Sequence, residues 1–247
     1  FCACHFSKHK DEAKSFKTML PVLAVGGIFC LLVILEPNMS ITMCIGIVMI
    51  AMLFFGGTKL KYFIYLGALA LCLVPILILI EPYRLLRLMA FLDPWASPQG
   101  EGFQLIQSLY SLGNGGLFGV GLFSSRQKYL YLPFAESDFI FSIICEECGF
   151  FGAILLILVF ATLCFLLVRV ALNAKDRFAS LLVIGIACVI CVQVVLNIAV
   201  VTGSIPPTGL PLPFISAGST SLMVFMSAIG VCLNVRRQTQ AINIDRK

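Results

Sequence analysis

Charge is what this sequence has least of. Only 12% of its 247 residues are Asp, Glu, Lys or Arg, about half the share found in soluble domains. Hydrophobic residues make up 60% of the chain and its mean hydropathy is +1.03. The run from Phe178 to Val235 holds no charged side chain. A chain of this length cannot bury so much apolar surface within itself, which excludes an ordinary soluble domain and turns that surface toward lipid. Period-2 alternation is absent as well. Helices are then the means of satisfying backbone hydrogen bonds in a bilayer. The expected fold class is all-α: a polytopic helical membrane protein with about six transmembrane helices.

Other absences narrow the function. The 11 cysteines show no paired zinc-ligand spacing. Cys30, Cys44, Cys72, Cys164, Cys188, Cys191 and Cys232 lie inside apolar runs, where a free thiol acts as a small hydrophobe. Cys2 with Cys4, and Cys145 with Cys148, lack the second half of a metal-binding pattern. The net charge of +5 is not gathered on one face, so nucleic-acid binding is not indicated. His5 and His9 read as solvated residues. The chain opens on Phe1 in the tail of an apolar segment and shows no signal peptide, and so reads as the C-terminal part of a longer protein.

What is present is a series of apolar segments of membrane-spanning length, at 19–35, 39–57, 62–80, 139–168, 178–201 and 214–234. They are expected to form one membrane domain over 1–247. Taking the spans in order, one side of the membrane receives 13 of the 17 Lys and Arg residues, and the other only Arg84, Arg87, Arg126 and Lys128. The positive-inside rule then places the tail at 235–247 in the cytoplasm and leaves 81–138 as a large extracytoplasmic loop. That loop is no simple linker. It contains Trp95, an amphipathic pattern over 101–112 and flexible backbone from Gly113 to Gly121. Chemistry is expected there.

Asp138 stands at the outer end of a span, where a carboxylate can take a proton from a hydroxyl. A helix N-cap is its plainer role. Arg84, Arg87, Arg126 and Lys128 are the basic residues able to hold an anionic leaving group on that side, or else they anchor the interface by snorkelling. Glu146 and Glu147 are acids inside a span, suited to a proton relay, a cation or pairing with a neighbouring helix. Gln104 and Ser216 are candidate substrate contacts, with close helix packing the alternative for Ser216. Gln193 and Asn197 form a polar stripe at i and i+4. The four prolines at 206, 207, 211 and 213 stiffen an outer loop.

Three motifs carry a resemblance. The first covers 93–153 and includes Gly115-Gly116-Leu117-x-Gly119-x-Gly121-Leu122, Gln127-Lys128, Asp138-Phe139-Ile140-Phe141 and Glu146-Glu147-x-Gly149. The second is PPTGLPLPFISAGSTSL at 206–222, and the third EPNMS at 36–40. In order and spacing the chain resembles the SEDS family of FtsW, RodA and SpoVE, closest to the FtsW and SpoVE branch, over about residues 8–237. The resemblance implies a peptidoglycan glycosyltransferase of the bacterial inner membrane that polymerises lipid II, with Asp138 as the essential aspartate. Its implied partners are lipid II (undecaprenyl-pyrophosphate disaccharide pentapeptide), a class B penicillin-binding transpeptidase and other divisome proteins. A divalent cation, Mg or Mn, would neutralise the pyrophosphate, although no residue cluster establishes one. The sequence departs from the family where Phe134 stands for the usual Glu and where Ser216 to Ser221 replaces a Tyr-Gly-Gly pattern. The family's Pro-Ser-Glu-x-x-Lys motif would precede residue 1. The alternatives are a lipid II flippase, which would depend on residues deep in the spans, and a non-catalytic scaffold for a penicillin-binding protein.

Overall fold

The computed structural model describes residues 1–10, 12–36, 38–129, 132–133 and 135–245, with side chains described as far as 240. Pro37, Phe134, Arg246 and Lys247, which figure in the motifs and charge counts above, lie outside the described residues. The secondary structure among the described residues is helical. In chain order the helices are α1 (Cys2–Lys8), α2 (Phe16–Leu35), α3 (Met39–Gly56), α4 (Leu60–Ile80), α5 (Pro82–Leu92), α6 (Phe103–Gly115), α7 (Ile140–Leu172), α8 (Arg177–Val201) and α9 (Ser219–Asp245), with a 3-10 turn at Pro94–Ala96. Six of them, α2, α3, α4, α7, α8 and α9, are long and apolar enough to cross a membrane. Their large side chains are turned outward, as with Ile64 and Leu71, which are 70% and 77% exposed. Lipid is the solvent for such a surface. The chain is a multi-pass membrane protein.

The chain divides into two compact units. One comprises Phe1–Gly67, Ala161–Val192 and Thr220–Lys247; the other comprises Ala68–Phe160 and Gln193–Ser219.

In the first unit α1, α2 and α3 pack around Phe6, Met19, Val22 and Leu53. The Phe6 ring lies so close to Gly56 that a Cβ there would fall 2.7 Å from it. Small-residue contact of this kind lets membrane helices approach. Asn38 caps α3 by accepting from the Ile41 N–H at 3.1 Å, and Gly57 closes the helix with φ +93°. The Arg177 guanidinium donates to the Gly56 carbonyl at 2.7 Å, which satisfies one of the orphan acceptors of a helix end.

In the second unit the expected outer loop is more ordered than its sequence suggests. Pro82, at the first turn of α5, starts a helix inside the stretch expected as loop. The amphipathic pattern over 101–112 emerges as α6, whose buried Ser108 donates to the Val201 carbonyl at 2.9 Å. The last span begins at Ser219 and not at 214, because Ser216 and Ala217 are bonded instead to the segment before α7.

The feature that organises this unit is a break in α7. Its 33 residues would measure about 50 Å as one helix, against a hydrocarbon core of about 30 Å. At Gly149 the backbone turns to φ 67°, ψ −168°, a region essentially restricted to glycine. The piece 150–172 is long enough to span by itself, and 140–148 is a short half-helix before it. The glycine-rich segment fills the break. Val120 N–H donates to the Glu146 carbonyl at 2.9 Å and Gly121 N–H to that of Glu147 at 3.1 Å. In return Phe150 N–H donates to Gly116 at 2.9 Å and Phe151 N–H to Leu117 at 3.2 Å. The two backbones are so close that a Cβ on Gly115, Gly119 or Gly149 would collide with main-chain atoms of the other strand.

Replacing Gly149 with Ala is therefore expected to lower thermal stability in detergent, by about 1–2 kcal/mol for the backbone conformation alone and by more for the clash. Gly113, within α6 with open space around it, supplies the control. Gly113→Ala is expected to be neutral or stabilising by roughly 0.5–1 kcal/mol. Equal melting points for the two variants would contradict the role assigned to the break.

Candidate functional site

Asp138 lies two residues before α7, where it is half-buried. Its main chain is held from two directions. The Asn197 amide donates to the Asp138 carbonyl at 2.7 Å and to the Leu210 carbonyl at 2.8 Å. Ser216 Oγ donates to the Ser137 carbonyl at 2.6 Å while accepting from Leu212 N–H at 2.7 Å. Ala217 N–H adds a bond to the Glu136 carbonyl at 2.8 Å. The proline-stiffened segment is thus laid against the approach to α7. Gly209, at φ +64°, passes so near that a Cβ would stand 3.2 Å from Asp138 Oδ2.

The carboxylate itself receives Ser137 Oγ at 2.8 Å. The described residues contain one ion pair, Lys128–Glu147, so Asp138 has no cationic partner among them. Nor does a described hydrogen bond join it to a main-chain N–H of α7. The first turn is closed by Phe139, whose carbonyl accepts from Ser142 N–H at 3.0 Å and Ser142 Oγ at 2.7 Å. The N-cap role open to Asp138 in sequence is not taken.

Glu146 and Glu147 sit on the half-helix before the break, facing a strap at 124–128. Glu146 is 1% exposed. Its carboxylate accepts from Ser125 Oγ, from Ser111 Oγ at 3.4 Å, and from the Arg126 and Gln127 N–H groups, each at 3.3 Å. Glu147 accepts from Lys128 Nζ at 2.6 Å and from Ser125 N–H at 3.4 Å. Hydrogen bonds of this density offset the cost of burying a carboxyl group. The acids therefore pair with a neighbouring segment, the structural alternative among their readings. Beside Glu146 opens a polar cavity of about 360 Å³, lined also by Asn114, Val120, Ser124 and Arg126.

The four outer cations have different surroundings. Arg126 is exposed at the cavity. Lys128 is paired with Glu147 and lies 5.3 Å from the Phe123 and Tyr129 ring centroids. Arg87 reaches the Pro207 carbonyl at 3.3 Å and stacks on Tyr83 at 4.5 Å, which ties it to the segment bordering Asp138. Arg84 is 8% exposed and donates to the Leu77 carbonyl at 2.8 Å, at the end of α4. Gln104 is half-buried on α6, and no described hydrogen bond links it to the other candidates.

The structure thus gathers Asp138 with Ser216, and Glu146 with Glu147, Arg126 and Lys128. Sequence reasoning missed the serines at 111, 125 and 137 and underrated Asn197. Its pairing with Gln193 at i and i+4 was a usable signal, but its partners lie far along the chain. Among the described residues no group of three or more His, Cys, Asp or Glu side chains comes together to hold a metal. A magnesium ion bound chiefly through substrate phosphates needs only one or two protein carboxylates, so such a group is not required for it.

The family profile described as "Cell cycle protein", FTSW_RODA_SPOVE, matches residues 1–241. Stage V sporulation protein E of Bacillus subtilis is 42% identical over 242 residues, 97% of this chain and 66% of that protein. A protein named probable peptidoglycan glycosyltransferase FtsW, from Geobacter sp., is 39% identical over 236 residues, 95% of this chain and 64% of the relative. A solved structure described as "Structural coordination of polymerization and crosslinking by a peptidoglycan synthase complex" superposes with a TM-score of 0.71 at 31% identity, covering 92% of this chain and 63% of that one. The chain therefore spans just under two thirds of the length of these relatives.

Two outcomes follow from the site's geometry. Asn197→Ala leaves the Asp138 and Leu210 carbonyls without their donor, which is expected to cost about 1–3 kcal/mol in a thermal or denaturant unfolding assay. Glu146→Ala removes the acceptor for four groups, and limited proteolysis should then cut the 124–128 strap several-fold faster; an unchanged cleavage rate would show that the strap is held by other means.

Proposed function

We propose a catalytic role from one established premise: the chain belongs to the FtsW/RodA/SpoVE family of cell cycle proteins. The protein is a peptidoglycan glycosyltransferase that polymerises lipid II during cell division or sporulation. The observation that supports this most directly is Asp138, a half-buried carboxylate whose main chain is clamped by Asn197 and Ser216 while its side chain meets no cation among the described residues. Such a group is held in place yet remains available as a proton acceptor.

In the proposed reaction Asp138 takes the proton of the acceptor sugar hydroxyl. The hydroxyl oxygen forms a bond to the anomeric carbon of a lipid-linked donor. The bond from that carbon to the α-linked pyrophosphate breaks, its electron pair leaves with the phosphate, and inversion gives a β-1,4 linkage. Arg126, exposed beside the polar cavity, is the cation best placed to meet the pyrophosphate, with Arg87 on the proline segment second. Lys128 and Glu147 orient the strap that carries Arg126. Arg84, on α5, serves the framework by holding the end of α4 through the Leu77 carbonyl.

Likeness to a solved peptidoglycan synthase complex that coordinates polymerization with crosslinking supports a partner that cross-links the strands. A class B penicillin-binding transpeptidase is the fitting class. The gathering of 13 of 17 basic residues on one side supports a cytoplasmic C-terminus in the bacterial inner membrane.

The test uses the complete protein purified with its transpeptidase and given labelled lipid II. Asp138→Asn is expected to lower strand formation by about 10² to 10⁴-fold at unchanged expression and melting point. Arg126→Ala should lower it by about tenfold or more. Undiminished polymer from Asp138→Asn would refute the catalytic assignment. Absence of polymer from the wild type, with lipid II crossing vesicle membranes, would favour a transporter.

A further inference from the structure

A second polar cavity lies in the first unit, far along the chain from the residues used above. Its volume is about 310 Å³ and its walls come from α7 and α9: Leu166, Arg169, Val170 and Asn173 on one side, Arg236, Thr239 and Gln240 on the other. Nothing in the proposed reaction uses it.

Depth identifies its surroundings. Arg169 lies 20 residues beyond the break at Gly149 and Arg236 lies 17 beyond the start of α9 at Ser219. These separations are about 30 and 26 Å along a helix, close to one hydrocarbon thickness. Both guanidiniums therefore emerge together at the headgroup level of the leaflet that the positive-inside rule makes cytoplasmic. Snorkelling anchors usually diverge into water; these two converge on one cavity from two helices.

The chemistry of the walls is specific. Neither arginine has a carboxylate within ion-pair distance among the described residues, whose single ion pair is elsewhere. Arg169 lies 5.9 Å from the Phe165 ring centroid, which orders it without neutralising it. The Asn173 amide nitrogen donates to the Arg169 carbonyl at 2.7 Å, leaving its oxygen as an acceptor. Thr239 donates its hydroxyl proton to Val235 at 3.0 Å and likewise keeps acceptor capacity. Leu166 and Val170 give the cavity an apolar edge. Two cations, neutral acceptors beside them and an apolar edge at interface depth match a phosphodiester carrying a hydroxylated headgroup and acyl chains. A zwitterionic lipid would bring an ammonium against two arginines.

We infer that the α7–α9 cavity is a binding site for the headgroup of an anionic phospholipid of the phosphatidylglycerol type, with Arg169 and Arg236 holding the phosphate. Only the leaflet depends on the topology argued above; the site itself does not depend on the catalytic reading.

Native mass spectrometry of the protein in detergent doped with equal amounts of phosphatidylglycerol and phosphatidylcholine of matched chains tests this. The wild type is expected to retain phosphatidylglycerol preferentially, by about tenfold. The double exchange Arg169→Gln with Arg236→Gln should abolish the preference, whereas Arg237→Gln, the charge change of either single exchange made outside the cavity, should keep it. Should the double variant prove misfolded, each single exchange, at an exposed position, is expected to lose about threefold by itself. Retention of phosphatidylglycerol by the cavity variants at the wild-type level, or equal retention of both lipids by the wild type, would overturn the site. Displacement of the lipid by millimolar inorganic phosphate would overturn the lipid assignment in favour of a small-anion site.

Discussion

The second unit depends on one backbone exchange. Four hydrogen bonds connect residues 116–121 with the edges of a break in α7, and they form because Gly149 adopts a conformation that other residues resist. A break in a membrane helix leaves main-chain donors and acceptors without partners, and in lipid that is expensive unless another segment supplies them. The glycine-rich segment supplies them. Gly115 and Gly119 permit the approach, since a side chain on either would strike the carbonyl it must pass.

Much follows from that exchange. It directs the Glu146 and Glu147 carboxylates toward the strap at 124–128, where five donor contacts from the strap and one from Ser111 on α6 hold them. The strap in turn presents Arg126 at a polar cavity. The acids are best understood as the anchors of a cationic segment, which explains how charged groups are tolerated so near the end of an apolar span.

Asp138 is built on a complementary plan. Its main chain is fixed by Asn197 and through the Ser137–Ser216 bond, both from segments far along the chain, while among the described residues its carboxylate accepts a hydrogen bond from the neighbouring serine. Immobilising the backbone while the carboxylate has no counter-ion among the described residues separates positioning from reactivity, the arrangement that the proposed proton transfer would need.

The helices themselves were legible in the amino-acid pattern, because lipid imposes a composition and a length that any 20-residue apolar segment reveals. The spans expected at 19–35, 39–57, 62–80 and 178–201 match α2, α3, α4 and α8 to within three residues at each end. The family motifs likewise pointed to Asp138 and to the Glu146–Glu147 pair, as ordered local runs can. Composition could not show the break at Gly149, the shortened start of α9 or the clamp from Asn197. Each arises where backbone groups from distant parts of the chain satisfy one another, and local propensity carries no record of such pairing. Sequence alone therefore determined that this is a helical membrane protein of a recognisable family and where its acids and bases stand along the chain. Only the tertiary structure decided which of those charges are neutralised and which left available, because that depends on hydrogen-bond partners brought together across the fold.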